Sequence, residues 1–240
     1  WQIYTFEFFY CGLCIFSCLF LYGCGESEQK PATAEIFAMD TVMDLTVYGK
    51  SGEDAIFQAK SLITKYDRLF SATDKNSDIY RINESAGSFV TVDSETYQLI
   101  KRSIELSELT EGAFDISIYP VVKAWGFDSK KYQIPSKEQL TKLKTLVDYQ
   151  KIKLCEPNQV QIGKEMAIDL GGIAKGYTSS QIIKLFQKLS VQSAIVSLGG
   201  NVEVLGIKPD KQAYNIGVTN PLQADSLIGT IQVENEAVIT

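Results

Sequence analysis

A glycine-rich turn between an apolar run and an amphipathic helix constrains the fold of this chain more than any other segment. In residues 167–186 (AIDLGGIAKGYTSSQIIKLF), a strand-like run ends at Asp169, two glycines follow, and Lys175 lies at the start of the helix. Gly171 and Gly172 allow the backbone to approach a ligand closely. The free N–H groups and partial positive charge of a helix start favour an anion such as phosphate. These residues alone leave two interpretations open: an anion site, or a turn whose glycines serve only packing.

Helix and strand patterns alternate along the rest of the chain. Apolar residues recur with helical spacing in residues 52–70, 94–112 and 136–146. Residues 35–49 predict two short strands, or one bent strand, around Met39. Further short strands are predicted around residues 88–93, 151–156, 159–163, 167–170, 193–206, 214–221, 227–234 and 237–240. We therefore predict an α+β fold with a mixed, largely antiparallel sheet and flanking helices.

The N-terminal segment has a different composition. Residues 8–24 are almost entirely apolar, a run close in length to a signal-peptide core and shorter than the roughly 20 residues of a membrane span. The run ends in Leu-Tyr-Gly-Cys24, which resembles the bacterial lipobox, where a small residue precedes a cysteine that becomes lipid-modified. An uncleaved membrane anchor is the alternative. The predicted organisation is a lipoprotein signal peptide over residues 1–24, lipidation at Cys24, a polar tether over residues 25–34 and a folded domain over residues 35–240.

Charge and residue usage exclude several function classes. The net charge of −6 argues against a nucleic-acid binder, because such domains usually carry a basic patch. No histidine occurs in the sequence, so a Ser-His-Asp or Cys-His mechanism is excluded within these residues. Acid–base chemistry here must use Asp, Glu, Lys or Tyr. Cys155 is the only cysteine after Cys24, so we expect no disulfide within the folded domain.

Five segments, in order along the chain, resemble the ApbE family of FAD:protein FMN transferases. The glycine-rich turn matches the family pattern DLGGIAKGY within residues 168–180, and residues 112–127 (GAFDISIYPVVKAWGF) match a second specific pattern. A Met-x-Thr turn at Met39 opens the matching region, and further patterns follow at residues 70–83 (FSATDKNSDIYRIN) and 199–221. The resemblance covers nearly all of the predicted domain and implies an ApbE-like fold.

The resemblance also implies which residues hold FAD. In family members, the methionine of the first turn and an Ala-Phe-Asp triplet hold the isoalloxazine and adenosine parts, and the aspartate and lysine of the glycine-rich turn contact the dinucleotide. A backbone carbonyl of that turn is a Mg²⁺ ligand, which implies Gly172 here. The implied FAD contacts are Met39, Ala113, Phe114, Asp115, Asp169 and Lys175, with Thr73 where many members have a tyrosine that stacks on the flavin.

Besides Thr73, two features depart from the family pattern. Asp40 replaces the glycine that members usually have in the first turn. The sequence stops at Thr240, where members continue into segments that supply a histidine and the remaining Mg²⁺ ligands. We therefore expect the catalytic residues beyond Thr240, and an ApbE-like domain that is partial at its C-terminus.

The activity implied by the resemblance is Mg²⁺-dependent transfer of FMN from FAD to a threonine or serine hydroxyl of a target protein, with release of AMP. With the lipobox, this predicts an exported flavin transferase that is lipid-anchored at the cell membrane and faces the periplasm or cell exterior. The expected partner is an exported acceptor flavoprotein, such as a subunit of a membrane redox complex. Two alternatives would use the same site: hydrolysis of FAD to FMN and AMP, and binding of FAD by a non-catalytic lipoprotein.

Overall fold

The computed structural model describes residues 30–239, apart from the side chain of Ala224. The predicted signal peptide, the lipidation site Cys24 and most of the predicted tether lie outside the described residues. Within residues 30–239, no helix is long and apolar enough to cross a membrane.

The described residues form strands and helices in alternation. The strands are β1 (Ala32–Ala38), β2 (Thr41–Tyr48), β3 (Val90–Thr91), β4 (Lys153–Cys155), β5 (Gln159–Gln161), β6 (Ser193–Leu198), β7 (Asn201–Leu205), β8 (Tyr214–Asn220), β9 (Gln223–Val233) and β10 (Ala237–Ile239). The helices are α1 (Gly52–Phe70), α2 (Asp78–Asn83), α3 (Ser94–Leu109), α4 (Tyr119–Ala124), α5 (Lys137–Lys144) and α6 (Ala174–Lys188), with a 3₁₀ turn at Tyr149–Lys151.

The largest sheet has five antiparallel strands in the order β1-β2-β6-β7-β10. Burial alternates along β2, so that Met43 and Leu45 face the core while Asp44 between them is exposed. Helices α1 and α6 pack on this apolar face and contribute Ile63 and Phe186 to the same core. The period of two in the strand and the helical period in α1 therefore direct their apolar side chains into one cluster.

A second apolar cluster joins α2 and α3 to a small antiparallel sheet of β3, β5 and β4. Ile168 and Leu170, on either side of Asp169, are fully buried in this cluster. Burial of each such side chain contributes roughly 1.5–3 kcal/mol to stability. The segment that leads into the glycine-rich turn is therefore anchored by its apolar residues, which leaves Asp169 between them at a fixed place.

The hairpin of β8 and β9 forms a third, two-stranded sheet. Its Tyr214 and Val233 pack against Val204 of β7, and this small cluster attaches the hairpin to the largest sheet. The Tyr214 hydroxyl and the Ser193 hydroxyl also share a hydrogen bond of 2.6 Å.

The structure confirms the α+β class and shows that every sheet is antiparallel. The one parallel pairing among the described residues is an isolated bridge between Ile118 and Ala167. The prediction of a strand at residues 167–170 is therefore wrong, apart from that bridge. A side chain, described below, pairs with the backbone groups that a neighbouring strand would otherwise pair. The strand predicted at residues 88–93 is shorter, since only Val90–Thr91 pairs. Pro120 lies in the first turn of α4. Backbone N–H groups in that turn have no intrahelical acceptor, so the absence of an N–H in proline removes no helical hydrogen bond.

Candidate functional site

One cavity of about 250 Å³ lies where the β1–β2 turn, the end of α1 and the glycine-rich turn meet. Its lining residues are Met39, Asp40, Asp67, Phe70, Ser71, Ala72, Thr73, Tyr119, Val122, Phe127, Asp128, Asp169, Gly171 and Ala174. Four carboxylates belong to this wall, and none of the described residues that line it is a lysine or arginine. The cavity is therefore strongly acidic, with apolar side chains between the carboxylates.

The β1–β2 turn places two residues in the left-handed region at the mouth of the cavity. Met39 and Asp40 have φ of 48° and 58°, the signs that a tight two-residue hairpin turn requires. The backbone N–H of Met39 donates to Asp67 Oδ1 over 2.8 Å, which ties the turn to the last helical turn of α1. An aspartate tolerates this conformation better than most residues but less well than glycine.

Asp40→Gly should raise the free energy of unfolding by up to about 1 kcal/mol, because glycine has no Cβ to clash at positive φ. Denaturant unfolding of the purified variant measures this difference. The matched control is Asp44→Gly, an exposed aspartate in the middle of β2, where glycine should lower stability instead. Equal losses in the two variants would contradict a strained turn.

Asp169 is held by backbone groups at the floor of the cavity. Its own N–H donates to the carbonyl of Ile116 over 2.8 Å, and its Oδ1 accepts the N–H of Gly171, also over 2.8 Å. Burial raises the pKa of the Asp169 carboxyl above its ordinary value, while the Gly171 hydrogen bond and the charge of Lys175 oppose that rise. The fold therefore keeps a partly desolvated carboxylate at this place, against its preference for water.

The side chain of Asn83, at the end of α2, fixes the backbone just before Asp169. Asn83 Oδ1 accepts the N–H of Ile168 over 2.7 Å, and its Nδ2 donates to the carbonyl of Ile168 over 2.9 Å. Both backbone groups of Ile168 are therefore paired with one side chain, in the way a neighbouring strand would pair them. This explains why residues 167–170 do not extend a sheet.

Asp115 makes internal hydrogen bonds and does not line the cavity. Its Oδ1 accepts the N–H of Ser117 over 2.8 Å and the hydroxyl of the same residue over 2.7 Å, and its Oδ2 accepts the N–H of Tyr149 over 3.0 Å. The carboxylate thus joins the segment before α4 to the 3₁₀ turn. Asp115 therefore has a structural role in this fold, independent of any contact with a ligand.

Of the other two residues of the triplet, Phe114 lies beside the glycine-rich turn. A Cβ added at Gly172 would lie 3.2 Å from Cε2 of Phe114, so the aromatic ring is adjacent to the Gly172 backbone. Ala113 is exposed. Lys175, in the first turn of α6, makes none of the ion pairs within the described residues, and its charge acts on Asp169.

Tyr119 separates this cavity from a larger one of about 520 Å³. Ala72, Thr73, Tyr119 and Asp128 line both cavities, so the two cavities are adjacent and share this wall. The Tyr119 hydroxyl donates to Asp128 Oδ2 over 3.4 Å. Burial, with the charges of Asp128 and Asp169, raises the pKa of Tyr119 to about 12, so its phenol stays protonated at neutral pH.

The structure brings together Met39, Thr73 and Asp169 of the predicted contacts, which line one cavity. Gly172 and Lys175 are in the same turn and first helical turn as Asp169, while Ala113, Phe114 and Asp115 do not line the cavity. Lining residues that were not among the predicted contacts include Asp67, Tyr119, Phe127 and Asp128. Phe127 and Tyr119 were inside a matched segment, so their aromatic character was the one available signal.

The described residues define a class of α+β domain in which a hairpin turn and a glycine-rich turn before a helix line an acidic cavity. The chain belongs to the ApbE family, whose sequence profile matches residues 39–240.

Curated relatives share about a quarter of their residues with this chain. The FAD:protein FMN transferase of Treponema pallidum (strain Nichols) is 27% identical over 217 residues, which cover 82% of this chain and 60% of the relative. The FAD:protein FMN transferase of Klebsiella pneumoniae (strain 342) is 28% identical over 214 residues, covering 87% of this chain and 64% of the relative. The chain thus spans less than two thirds of the length of these relatives.

Solved structures share the fold. The ApbE protein of Thermotoga maritima MSB8 superposes with a TM-score of 0.82 at 28% identity, over 87% of this chain and 69% of that chain. The flavin transferase ApbE of Vibrio cholerae superposes with a TM-score of 0.76 at 22% identity, over 86% of this chain and 70% of that chain. These likenesses confirm the predicted ApbE-like fold.

Proposed function

We propose that this chain is the FAD-binding part of an enzyme that transfers FMN from FAD to a threonine or serine hydroxyl of a target protein. The observation that carries the proposal is the convergence of Met39, Thr73 and Asp169, from three separate matched segments, on one cavity. The curated relatives are named for this activity, which supports the same conclusion.

In the proposed reaction, the hydroxyl oxygen of the acceptor forms a bond to the phosphorus of the FMN half. The bond between that phosphorus and the bridging oxygen of the pyrophosphate breaks, and AMP leaves with the bridging oxygen. The hydroxyl proton passes to a base. Among the described residues, Lys175 supplies positive charge next to the glycine-rich turn, and the partial positive charge at the start of α6, which has no side-chain cap, suits a phosphate oxygen.

The acidic wall supports a requirement for a cation. FAD carries a dianionic pyrophosphate, and four carboxylates line the cavity that would receive part of it. A bound Mg²⁺ would neutralise the pyrophosphate as in other phosphoryl transfers. Residues 30–239 contain no group of three or more Asp, Glu, His or Cys residues placed to hold a metal ion. From the family resemblance, the Gly172 carbonyl would be one Mg²⁺ ligand, and the ion would supply positive charge at the pyrophosphate.

The full-length protein, incubated with FAD, Mg²⁺ and a candidate acceptor protein, should give an acceptor band with flavin fluorescence and one AMP per flavin attached. Free FMN and AMP without a labelled acceptor would show hydrolysis instead of transfer. FAD that stays bound with no AMP released would show a binding protein. Either of these last two results rejects the transferase.

The proposed location is the outer face of the cell membrane, through a lipid on Cys24, with an exported acceptor such as a subunit of a membrane redox complex. The apolar run that ends at Cys24 supports this location. Cells fed a radiolabelled fatty acid should label the full-length protein and not its Cys24→Ser variant. Equal labelling of the two proteins would refute lipidation at Cys24.

A further inference from the structure

The loop between α4 and α5 exposes three large apolar side chains beside the acidic cavity. Within residues 127–134, Phe127 is 57% exposed, Tyr132 is 71% exposed and Ile134 is 87% exposed. The rings of Phe127 and Tyr132 are neighbours, with centroids 6.0 Å apart, and Phe127 also lines the acidic cavity. Large apolar side chains exposed together on one loop are typical of an interaction surface, whereas scattered single ones are not.

The backbone of this loop is fixed at its base. Gly126 has a φ of +76°, and a Cβ there would lie 2.0 Å from the carbonyl oxygen of Lys131, so the chain folds back tightly on itself. The N–H of Gln133 donates to the carbonyl of Trp125 over 3.1 Å, and the Gln133 side chain donates to the carbonyl of Ala124 over 3.0 Å. The residues on either side of Gln133 are therefore held in place, and a partner that binds their side chains need not first order the loop.

Two lysines in the same loop add positive charge to this surface. Lys130 and Lys131 are exposed, and they take part in none of the ion pairs within residues 30–239. The one carboxylate of residues 127–134, Asp128, lines the cavity and accepts a hydrogen bond from the Tyr119 hydroxyl. The two ammonium groups are thus available to a partner that carries carboxylates.

We propose that the 127–134 loop is the docking surface for the acceptor protein, which contacts it with apolar side chains and carboxylates that lie close to its modified hydroxyl. This inference rests on the proposed function, which requires a hydroxyl of another protein to reach the acidic cavity. The loop adjoins that cavity through Phe127. A protein that covers Tyr132 and Ile134 therefore lies directly beside the place where its hydroxyl must enter.

The position of the loop favours a protein over a lipid surface as its partner. Insertion of Tyr132 and Ile134 into a bilayer would bring the adjoining acidic cavity against the headgroups, where anionic lipids repel its carboxylates. The same contact would place lipid where the acceptor must enter. A protein surface can instead cover the apolar side chains of the loop and place a hydroxyl in the cavity at the same time.

The test measures FMN transfer by the full-length protein to a flavin-free candidate acceptor over a range of acceptor concentrations. Tyr132→Ser/Ile134→Ser should raise the KM for the acceptor about 10- to 100-fold, because a few exposed anchors supply much of the binding energy of an interface. The kcat and the affinity for FAD should stay within about twofold, since neither side chain lines the cavity. The melting temperature should change little, because both side chains are exposed.

The two lysines have a separate measurement. Lys130→Gln/Lys131→Gln should raise the same KM about three- to tenfold at low salt, and should make the KM depend less on salt concentration. Exposed charges act mainly by attracting the partner, and dissolved ions screen that attraction. An equal dependence of KM on salt in the parent protein and in this variant would overturn the role of the two lysines.

Phe57→Ser/Leu222→Ser is the matched control, because these residues are 70% and 95% exposed and line none of the cavities described above. This control should keep the KM of the parent protein. If the parent transfers FMN and Tyr132→Ser/Ile134→Ser has an unchanged KM, the inference is overturned and the proposed function stands. Binding to vesicles that contain phosphatidylglycerol, lost in that variant while its KM is unchanged, would overturn it in favour of a membrane. Failure of the parent protein to transfer FMN would reject the proposed function and this inference together.

Discussion

Asp169→Asn should lower the rate of FMN transfer about 100-fold or more, and should make the protein more stable at neutral pH. Asparagine keeps the shape of the side chain and the oxygen that accepts the Gly171 N–H, so the turn is preserved. It removes the negative charge that acts on Lys175 across the glycine-rich turn. Because the fold holds this carboxylate partly away from water, the ionised group opposes folding, and its retention indicates a role in binding or catalysis.

The stability gain should depend on pH in a defined direction. Burial raises the pKa of the Asp169 carboxyl in the folded state above that in the unfolded chain. As pH rises, the unfolded chain therefore releases the proton first. The free energy of unfolding begins to fall near the pKa of the unfolded chain, about 3.9, and continues to fall until pH exceeds the pKa of the folded state. Thermal unfolding should show Asp169→Asn above the parent protein at pH 7 and equal to it at about pH 3. A lower midpoint for Asp169→Asn at pH 7 would contradict this account.

Two lysine variants compare the effect of the positive charge at the glycine-rich turn with that of a positive charge further along α6. Lys175→Ala should lose transfer as Asp169→Asn does, because it removes the cation nearest to the turn. Lys184→Ala, an exposed lysine further along the same helix, should keep full activity and stability. Both single variants at the turn retaining full activity would show that the family resemblance assigns these residues wrongly.

Asn83→Ala should destabilise the protein by about 2–4 kcal/mol, because it leaves the N–H and the carbonyl of Ile168 without partners in a largely buried place. Ile168 is fully buried, so water cannot easily replace the amide. Denaturant unfolding gives the stability, and an FAD titration should show weaker binding, since Asp169 follows directly after Ile168. The expected losses in stability and in affinity come from the same two hydrogen bonds.

Two further variants make this prediction specific. Asn76→Ala removes an exposed asparagine that bonds only with nearby Asp74, and should change stability little. Asn83→Asp keeps an acceptor for the Ile168 N–H but faces the Ile168 carbonyl with a second oxygen, so it should be destabilised as well. A stable Asn83→Ala protein with normal FAD affinity would show that the Asn83 hydrogen bonds do not position Asp169.

Local patterns were sufficient for much of the fold. The apolar spacing of residues 52–70 predicted α1 over its full length. The alternation of residues 35–49 predicted two short strands, or one bent strand, around Met39, and the structure shows two paired strands there. The helical spacing of residues 136–146 likewise predicted α5, and the Ser136 hydroxyl caps this helix by accepting the Gln139 N–H. These features depend on contacts between residues that are close in the chain, which is why sequence alone could predict them.

The parts of the site that sequence did not predict depend on distant contacts. Asn83 and Ile168 are 85 residues apart, and no local sequence pattern indicates that a side-chain amide will pair with the Ile168 backbone in place of a neighbouring strand. Asp115 contacts Tyr149 over 34 residues, so a residue that the family resemblance gives to FAD also has a structural partner. Phe127 carries no signal of exposure in its sequence, because an aromatic residue in such a segment is usually buried.

The hydrogen bonds between Asn83 and Ile168 also determine whether the site loses its conformational entropy during folding or during ligand binding. Ile168 belongs to the same buried cluster as the apolar residues of α2 and α3, so this segment should open only when that cluster opens. Hydrogen exchange at the Ile168 amide should accordingly be as slow as in the buried helices, even though the glycines that follow are exposed. The cost of fixing Asp169 is then incurred once, as the chain folds, and binding of a dinucleotide does not include it again.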